Sequence, residues 1–195
     1  MKTVRLTKDS QRDLLDSLLK RSPNNYGQYE SVVADIIANV REKGDEAVFD
    51  YTSQFDKWNC NADNIRVTDA EIEKAYAEAD AAFVAVMEKS AANIRDFHQK
   101  QLRNSWIDTR PDGSVLGQRI LPIAVSGVYV PGGKAAYPSS VLMNVIPAKV
   151  AGVERIVMTT PAGADGKVNP GTLVAAKIAG VDETMMRGRR ACLTA

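Results

Sequence analysis

The sequence is poor in the residues that build metal sites and disulfide frameworks. It has one histidine and two cysteines among 195 residues. Cys60 and Cys192 lie far apart and lack metal-ligand spacing, so neither a disulfide framework nor a cysteine-based zinc site is expected. His98 stands in a polar string near the end of a helical pattern, where a surface role is favoured over a catalytic one. The residue pattern therefore identifies no catalytic residue and no metal ligand.

Long apolar runs and an excess of charge of one sign are also missing. No stretch approaches the roughly 20 apolar residues of a membrane helix, and the first residues lack the apolar core of a signal peptide. The chain has 25 Lys and Arg against 24 Asp and Glu, which leaves no field to attract nucleic acid or an anionic membrane. We expect a cytoplasmic globular protein that binds neither.

The first half of the chain predicts helices. A leucine-rich helix from Asp9 or Ser10 to Lys20 precedes a break at residues 22–25. Residues 1–25 are therefore predicted to form an arm that docks on another domain or subunit, with a local packing helix as the alternative. Two further helices are expected over residues 29–43 and 45–55, separated by Gly44 as a left-handed stop.

Residues 68–122 predict more helix and then a hairpin. Thr68 and Glu71 have the spacing of a capping box, in which each side chain satisfies a backbone N–H of the first helical turn. One long helix or two abutting helices, broken near Asp80, should run from there to about Arg103. Asp112-Gly113 lies between two partly alternating runs and predicts a β-hairpin.

From residue 123 strands and helices alternate, which is typical of a parallel α/β sheet. The expected elements are a strand at 124–130, a glycine turn, a Ser-capped helix from Ser139 to Val150, a strand at 155–160 and a helix at 169–179. Residues 184–195 have neither strand nor helix periodicity. The predicted fold class is α/β: a helical region with a hairpin over 26–122, an incomplete Rossmann-like βαβα unit over 123–183, and a tail over 184–195.

The glycine turn after the first of these strands is the best candidate for a ligand site. Gly127 and Gly132 have the separation of the two glycines in a phosphate-binding P-loop, but Gly133 stands where the lysine should be, and Lys134 is followed by Ala135 rather than by a hydroxyl residue. The G-x-G-x-x-G fingerprint of dinucleotide-binding proteins and the G-x-S-x-G motif of serine hydrolases are absent as well. Spacing alone thus indicates a small α/β ligand-binding domain with helical neighbours.

Four segments of the chain resemble histidinol dehydrogenases. They are GVYVPGGKAAYPSSVLMN at 127–144, IPAKVAG at 146–152, LGQR at 116–119 and YTSQFD at 51–56. The similarity continues through residues 180–183 and then stops. It implies a cytoplasmic, homodimeric, zinc-dependent enzyme that oxidises L-histidinol through the aldehyde to L-histidine, in two hydride transfers to NAD.

The resemblance also implies a cofactor side. Tyr129 matches an NAD-contacting tyrosine of the family; the alternative is a buried aromatic residue at a strand end. Pro131, Gly132 and Gly133 are expected to form the turn beside the cofactor. The serines at 139 and 140 are expected to cap a helix rather than to contact substrate.

The departures from the family concern the catalytic half. Family members are more than twice this length, and their later part holds the zinc ligands, the Glu–His acid/base pair and the substrate carboxylate contacts. Residues 184–195 do not resemble the family segment with its NAD-contacting glutamine. We therefore expect the front portion of the enzyme with an unrelated tail, inactive alone. The alternative is a non-catalytic α/β nucleotide- or effector-binding module with a helical interaction domain.

Overall fold

The computed structural model describes residues 7, 10–12, 27–132, 136–163 and 165–186. Most of the predicted arm and most of the tail lie outside these residues. In chain order the elements are α1 (Gly27–Lys43), α2 (Asp45–Asp56), α3 (Asp69–Ala77), α4 (Ala81–Gln99), β1 (Trp106–Thr109), β2 (Val115–Gln118), β3 (Val125–Tyr129), α5 (Pro138–Val150), β4 (Arg155–Thr160), α6 (Pro170–Ala179) and β5 (Glu183–Met186). None of these helices is both long and apolar enough to cross a membrane.

The boundaries of the first four helices follow their local signals. Gly44 separates α1 from α2 with a φ of 59°, although its ψ of −134° lies outside the left-handed helical region expected of it. Thr68 and Glu71 form both bonds of the predicted capping box at the start of α3. Asp80 accepts a 2.7 Å hydrogen bond from the N–H of Ala82, so a new helix begins there and the long pattern divides in two. The second helix ends at Gln99, four residues before the predicted end.

β1 and β2 form the predicted antiparallel hairpin around Asp112-Gly113. Trp106 pairs with Gln118 and Thr109 with Val115. Gly113 has a φ of 84°, which a turn residue without a side chain adopts at little cost. Every residue of both strands is exposed.

β3, β4 and β5 form a parallel sheet in that order, with Val128 beside Met158 and Met158 beside Thr184. Two crossovers in the same direction place α5 and α6 on one face. The presence of β5 corrects the expectation that residues after Glu183 lack regular structure. The strand is held from both sides: β4 pairs with one edge, while on the other the N–H of Val67 bonds to the carbonyl of Thr184.

α5 begins differently from the prediction. Pro138 occupies its first turn, and Tyr137 precedes it without any capping side chain, so neither Ser139 nor Ser140 caps the helix. Proline is favoured at this position because its φ suits a helix and its missing N–H would have had no intrahelical acceptor. The proline therefore sets the helix start.

The main core lies between the helical face of the sheet and three helices. Val130, Ile146 and Ile156 are fully buried there. α4 contributes Met87 and Ala91 to the same cluster. The predicted helical region and the predicted Rossmann-like unit thus share a core, while the domain boundaries themselves remain predictions.

Asp182, just before β5, ties α5 to the sheet. Its carboxylate accepts hydrogen bonds of 2.7 Å from Lys149 Nζ and from the N–H of Ile156. Burial raises the pKa of Asp182, but these two bonds and the nearby positive charges outweigh that effect, so its pKa lies below the ordinary value. The ionised carboxylate is therefore the form that the fold favours.

Candidate functional site

A cleft of about 310 Å³ lies past the carboxyl ends of β3 and β4. In an open parallel sheet this edge is where ligands bind, because the chain turns away from each strand and leaves a crevice. The residues on its walls that matter for ligand chemistry come from both strand ends, the following loop and the start of α6: Gly132, Thr160, Pro161, Asp165, Lys167 and Thr172.

Gly132 belongs to this cleft because two turns of the chain approach closely there. A Cβ atom at position 132 would lie 3.0 Å from Pro161 Cγ and 3.3 Å from Thr160 Oγ1. Both distances are tighter than ordinary van der Waals contact, so a side chain here would have to displace its neighbours or narrow the cleft. The glycine keeps the mouth of the cleft open.

The loop after β4 forms the opposite wall. The N–H of Gly163 donates to the carbonyl of Lys167 at 2.8 Å, and the N–H of Gly166 donates to the carbonyl of Gly163 at 2.9 Å. Asp165 Oδ1 accepts from the N–H of Lys167 at 3.2 Å. These bonds fold the segment into a tight turn that carries one acidic and one basic side chain to the cleft.

The first turn of α6 forms a further wall of the cleft. Asn169 Oδ1 accepts the N–H of Gly171 at 2.9 Å, and the N–H groups of Thr172 and Leu173 bond to the carbonyl of Asn169. Since Pro170 has no N–H, the first-turn donors are already engaged. The helix therefore offers a partial positive charge rather than free donors.

Of the four residues predicted to contact the cofactor, the structure describes three, and they have different surroundings. Gly132 lines the cleft. Tyr129 is half-buried at the end of β3, beside Thr159 in the register. Its neighbours Val128 and Val130 point into the helix-covered core, so by strand alternation Tyr129 lies on the other face of the sheet. Pro131 is exposed between them, and Gly133 lies outside the described residues.

The loop residues of the cleft were not singled out from the sequence. From the sequence alone, the segment between the strand at 155–160 and the helix at 169–179 is only a connection rich in proline, glycine and aspartate. The available signal was its position: it follows the carboxyl end of a parallel strand adjacent to the strand that ends in the glycine turn. Asp165 and Lys167 become candidates once those two strands are known to be neighbours.

A second cavity, about 430 Å³ in volume, lies between α3 and α6. Its walls include Ala75, Leu173 and Met186, which belong to a small apolar cluster. Lys167 and Val168 border both cavities. The helical region therefore packs directly behind the loop that forms the cleft wall.

Metal-binding groups do not gather in the described part of the chain, where no three His, Cys, Asp or Glu side chains could hold one ion. His98, on the last turn of α4, contacts Gln101 at 2.6 Å and does not line the cleft. Burial raises the pKa of Asp56 at the end of α2, and its Oδ2 atom has no hydrogen-bond partner among the described residues. These residues do not fit a catalytic zinc site.

Comparison with known proteins covers almost the whole chain. The profile of the histidinol dehydrogenase family matches residues 19–193, which extends ten residues beyond Glu183, where the resemblance was expected to stop. The chain is 49% identical to histidinol dehydrogenase of Heliobacterium mobile over 173 residues, which are 89% of this chain and 41% of that protein. It is 48% identical to the enzyme of Geobacillus kaustophilus over 167 residues, 86% of this chain and 39% of that protein.

A solved structure is similar as well. The fold matches that of histidinol dehydrogenase from Elizabethkingia anophelis with a TM-score of 0.78 and 28% identity, over 100% of this chain and 40% of the other. The chain thus spans about two fifths of the length of the relatives it matches. On sequence and fold together, the chain belongs to the histidinol dehydrogenase family.

Proposed function

We propose that this chain is the N-terminal, cofactor-side portion of a histidinol dehydrogenase. The whole enzyme would oxidise L-histidinol through the aldehyde to L-histidine with NAD, as a cytoplasmic homodimer. The observation that carries the proposal is the cleft past the carboxyl ends of β3 and β4, on a chain whose relatives bear this enzyme's name.

The cleft suits the diphosphate of a dinucleotide. Gly132 lets a ligand approach the backbone where two turns nearly touch. Lys167 supplies a positive charge, and the first turn of α6 adds a partial one. Asp165, on the same wall, is a potential acceptor for a ribose hydroxyl. In this assignment Tyr129, Pro131 and Gly133 flank the cofactor at the end of β3.

NAD, when bound, would accept the hydride; the described residues of this chain bind and orient it. They do not fit zinc, so no step of the reaction is assigned to a metal here. By the family resemblance, the zinc ligands and the acid/base pair belong to the part of the enzyme that follows. The 195-residue chain alone is therefore expected to produce no NADH from histidinol and NAD.

Calorimetric titration of the purified chain with NAD tests the binding half of this proposal. Gly132→Ala should weaken NAD binding about tenfold, because the added methyl group crowds Pro161 and Thr160. Gly127→Ala is the matched control, since a Cβ there meets nothing within 4 Å. Equal affinity for NAD in the two variants, or no binding by the parent chain, would contradict the assignment.

A second measurement tests the expectation that this chain binds NAD but lacks the catalytic groups. The chain, with its mass verified, is incubated with L-histidinol, NAD and zinc, and NADH is followed by absorbance. We expect no NADH above the protein-free reaction. Sustained turnover would show that the catalytic groups are present in these 195 residues and would overturn the proposal that they lie elsewhere.

A further inference from the structure

Trp58 connects the helical region to the cleft. α2 ends at Asp56, and Lys57 adopts the left-handed conformation with a φ of 58°, so the chain turns sharply before Trp58. The half-buried indole then packs against two separate apolar clusters. One contains Val48 and Ile65 from the helical region, and the other contains Leu173 of α6 and its neighbours.

The same indole lies against the turn that forms the cleft wall. A Cβ atom built on Gly166 would lie 2.3 Å from Trp58 Nε1 and 2.8 Å from its Cδ1. Contacts this short would be prohibitive, so the ring occupies the space that any other residue at position 166 would need. Gly166 is required a second time by its φ of +71°.

Gly166 sits in the middle of the hydrogen-bonded turn. Its N–H donates a hydrogen bond to the carbonyl of Gly163, and the carbonyl of the next residue, Lys167, accepts one from the N–H of Gly163. The side chains of Asp165 and Lys167, on either side of it, line the cleft. Contact with the ring therefore restricts the backbone of the turn, which sets the positions of both charged side chains.

We infer that Trp58 is a positioning residue of the cleft, which holds the 163–167 turn in place by packing its indole on Gly166. The side chains of Asp165 and Lys167 are exposed, so their own packing does not hold the turn in place. A rigid aromatic ring anchored in two clusters supplies a fixed surface at low entropic cost. The identity of the ligand, NAD, rests on the proposed function; the positioning of the turn does not.

Hydrogen exchange by NMR tests the positioning directly. In Trp58→Ala the amides of Gly163 and Gly166 should exchange at least about tenfold faster, because the turn loses its support. The amide of Val130, which bonds to the carbonyl of Thr159 within the sheet, should keep its protection. Trp106→Ala, on the exposed hairpin, is the matched control and should change neither turn amide. Trp58→Phe should recover part of the protection.

A second set of variants approaches the contact from the other side. In a Trp106→Phe background Trp58 is the only tryptophan, since the chain has two. Gly166→Ala should then shift Trp58 emission to the red and increase its quenching by acrylamide. Gly113→Ala is the control, because that glycine has a φ of +84° but meets nothing within 4 Å. It imposes a similar backbone strain without touching the ring.

The outcomes separate the inference from the proposed function. Unchanged exchange at Gly163 and Gly166 in Trp58→Ala would overturn the inference, whether or not the chain binds NAD. If the parent chain binds NAD, Trp58→Ala should weaken binding about tenfold and Trp58→Phe less. Faster exchange at the turn with undiminished NAD affinity would overturn the role in the cleft. Faster exchange in a chain that never binds NAD would support the positioning and count against the proposed function.

Discussion

The two β regions of this protein have opposite surroundings. In the parallel sheet Ile156 and Met158 of β4 are fully buried. In the hairpin, Ile107 of β1 is 80% exposed and Val115 of β2 is 62% exposed. Both regions consist of short strands with apolar, β-branched residues, so strand composition does not account for the difference.

What differs is the connection between the strands. Parallel neighbours need a crossover, and the two crossover helices return to cover one face of the sheet. The hairpin is joined by a tight turn, and no helix or strand of the described chain lies over it. The sheet has an open side too: Val125 of β3 is 54% exposed, and the outer edge of β3 has no partner strand among the described residues. Coverage, rather than strand formation, distinguishes the two regions.

Isoleucine truncation should give the largest contrast. Ile156→Ala removes a fully buried side chain from β4 and should lower the free energy of unfolding by about 2–5 kcal/mol. Ile107→Ala makes the same change in β1, where the expected loss is below about 1 kcal/mol because little surface is buried. Urea unfolding followed by circular dichroism measures both. Equal losses would mean that the hairpin is part of the cooperative core.

A smaller effect is expected where charge ties the sheet together. Asp182→Ala removes the acceptor of the Ile156 N–H and the ion-pair partner of Lys149. It should lower the free energy of unfolding by about 1 kcal/mol. The expected loss is small because the Asp182 side chain is 38% exposed and solvent screens its charge. Asp108→Ala, on the exposed hairpin, is the matched control.

The pH dependence of that difference follows from the lowered pKa of Asp182. Because the folded pKa lies below the ordinary 3.8, the carboxylate stabilises the fold fully above that value. Its contribution should fade as the pH falls through the folded pKa. The stability gap between parent and Asp182→Ala should therefore be constant above pH 3.8 and close below it. A gap that widened in acid would contradict this assignment.

The smallest global effect should come from a clash inside the hairpin. A Cβ on Gly117 would lie 2.7 Å from the carbonyl oxygen of Trp106, so Gly117→Ala must shift the strands apart. NMR should show faster amide exchange along β1 and β2, with a change below about 1 kcal/mol in global unfolding. Gly127→Ala, with open space around the new methyl group, should change neither. A loss of stability as large as that of Ile156→Ala would show that the sheet depends on the hairpin.

Local chemistry made most element boundaries predictable. The capping box at Thr68, the helix break near Asp80 and the Asp-Gly turn each depend on interactions within four residues, and all three are present as expected. The predicted start of α5 was wrong, because Pro138 occupies the first turn of the helix ahead of the two serines that were expected to cap it. The extension of β5 past Glu183 was missed because residues 184–186 lack a pattern of their own, and pairing with β4 and with the segment at 65–67 holds them extended.

The candidate site was predictable in part. The glycine turn pointed to Gly132, which does line the cleft. The roles of Tyr129, Pro131 and Gly133 stay predictions. Asp165 and Lys167 could not be chosen from the sequence, because they approach Gly132 only through the adjacency of β3 and β4. Trp58 lies more than a hundred residues before the turn it supports, and no sequence spacing links the two.

The sequence by itself therefore determined most helix and strand boundaries, the alternation that makes the sheet parallel, and the family to which its motifs point. These properties depend on backbone bonds and side chains close in the chain. The tertiary structure decided which strand is buried, which loop faces Gly132 and which aromatic ring supports that loop. Such contacts join segments that are distant in the sequence, so they form only when the whole chain is folded.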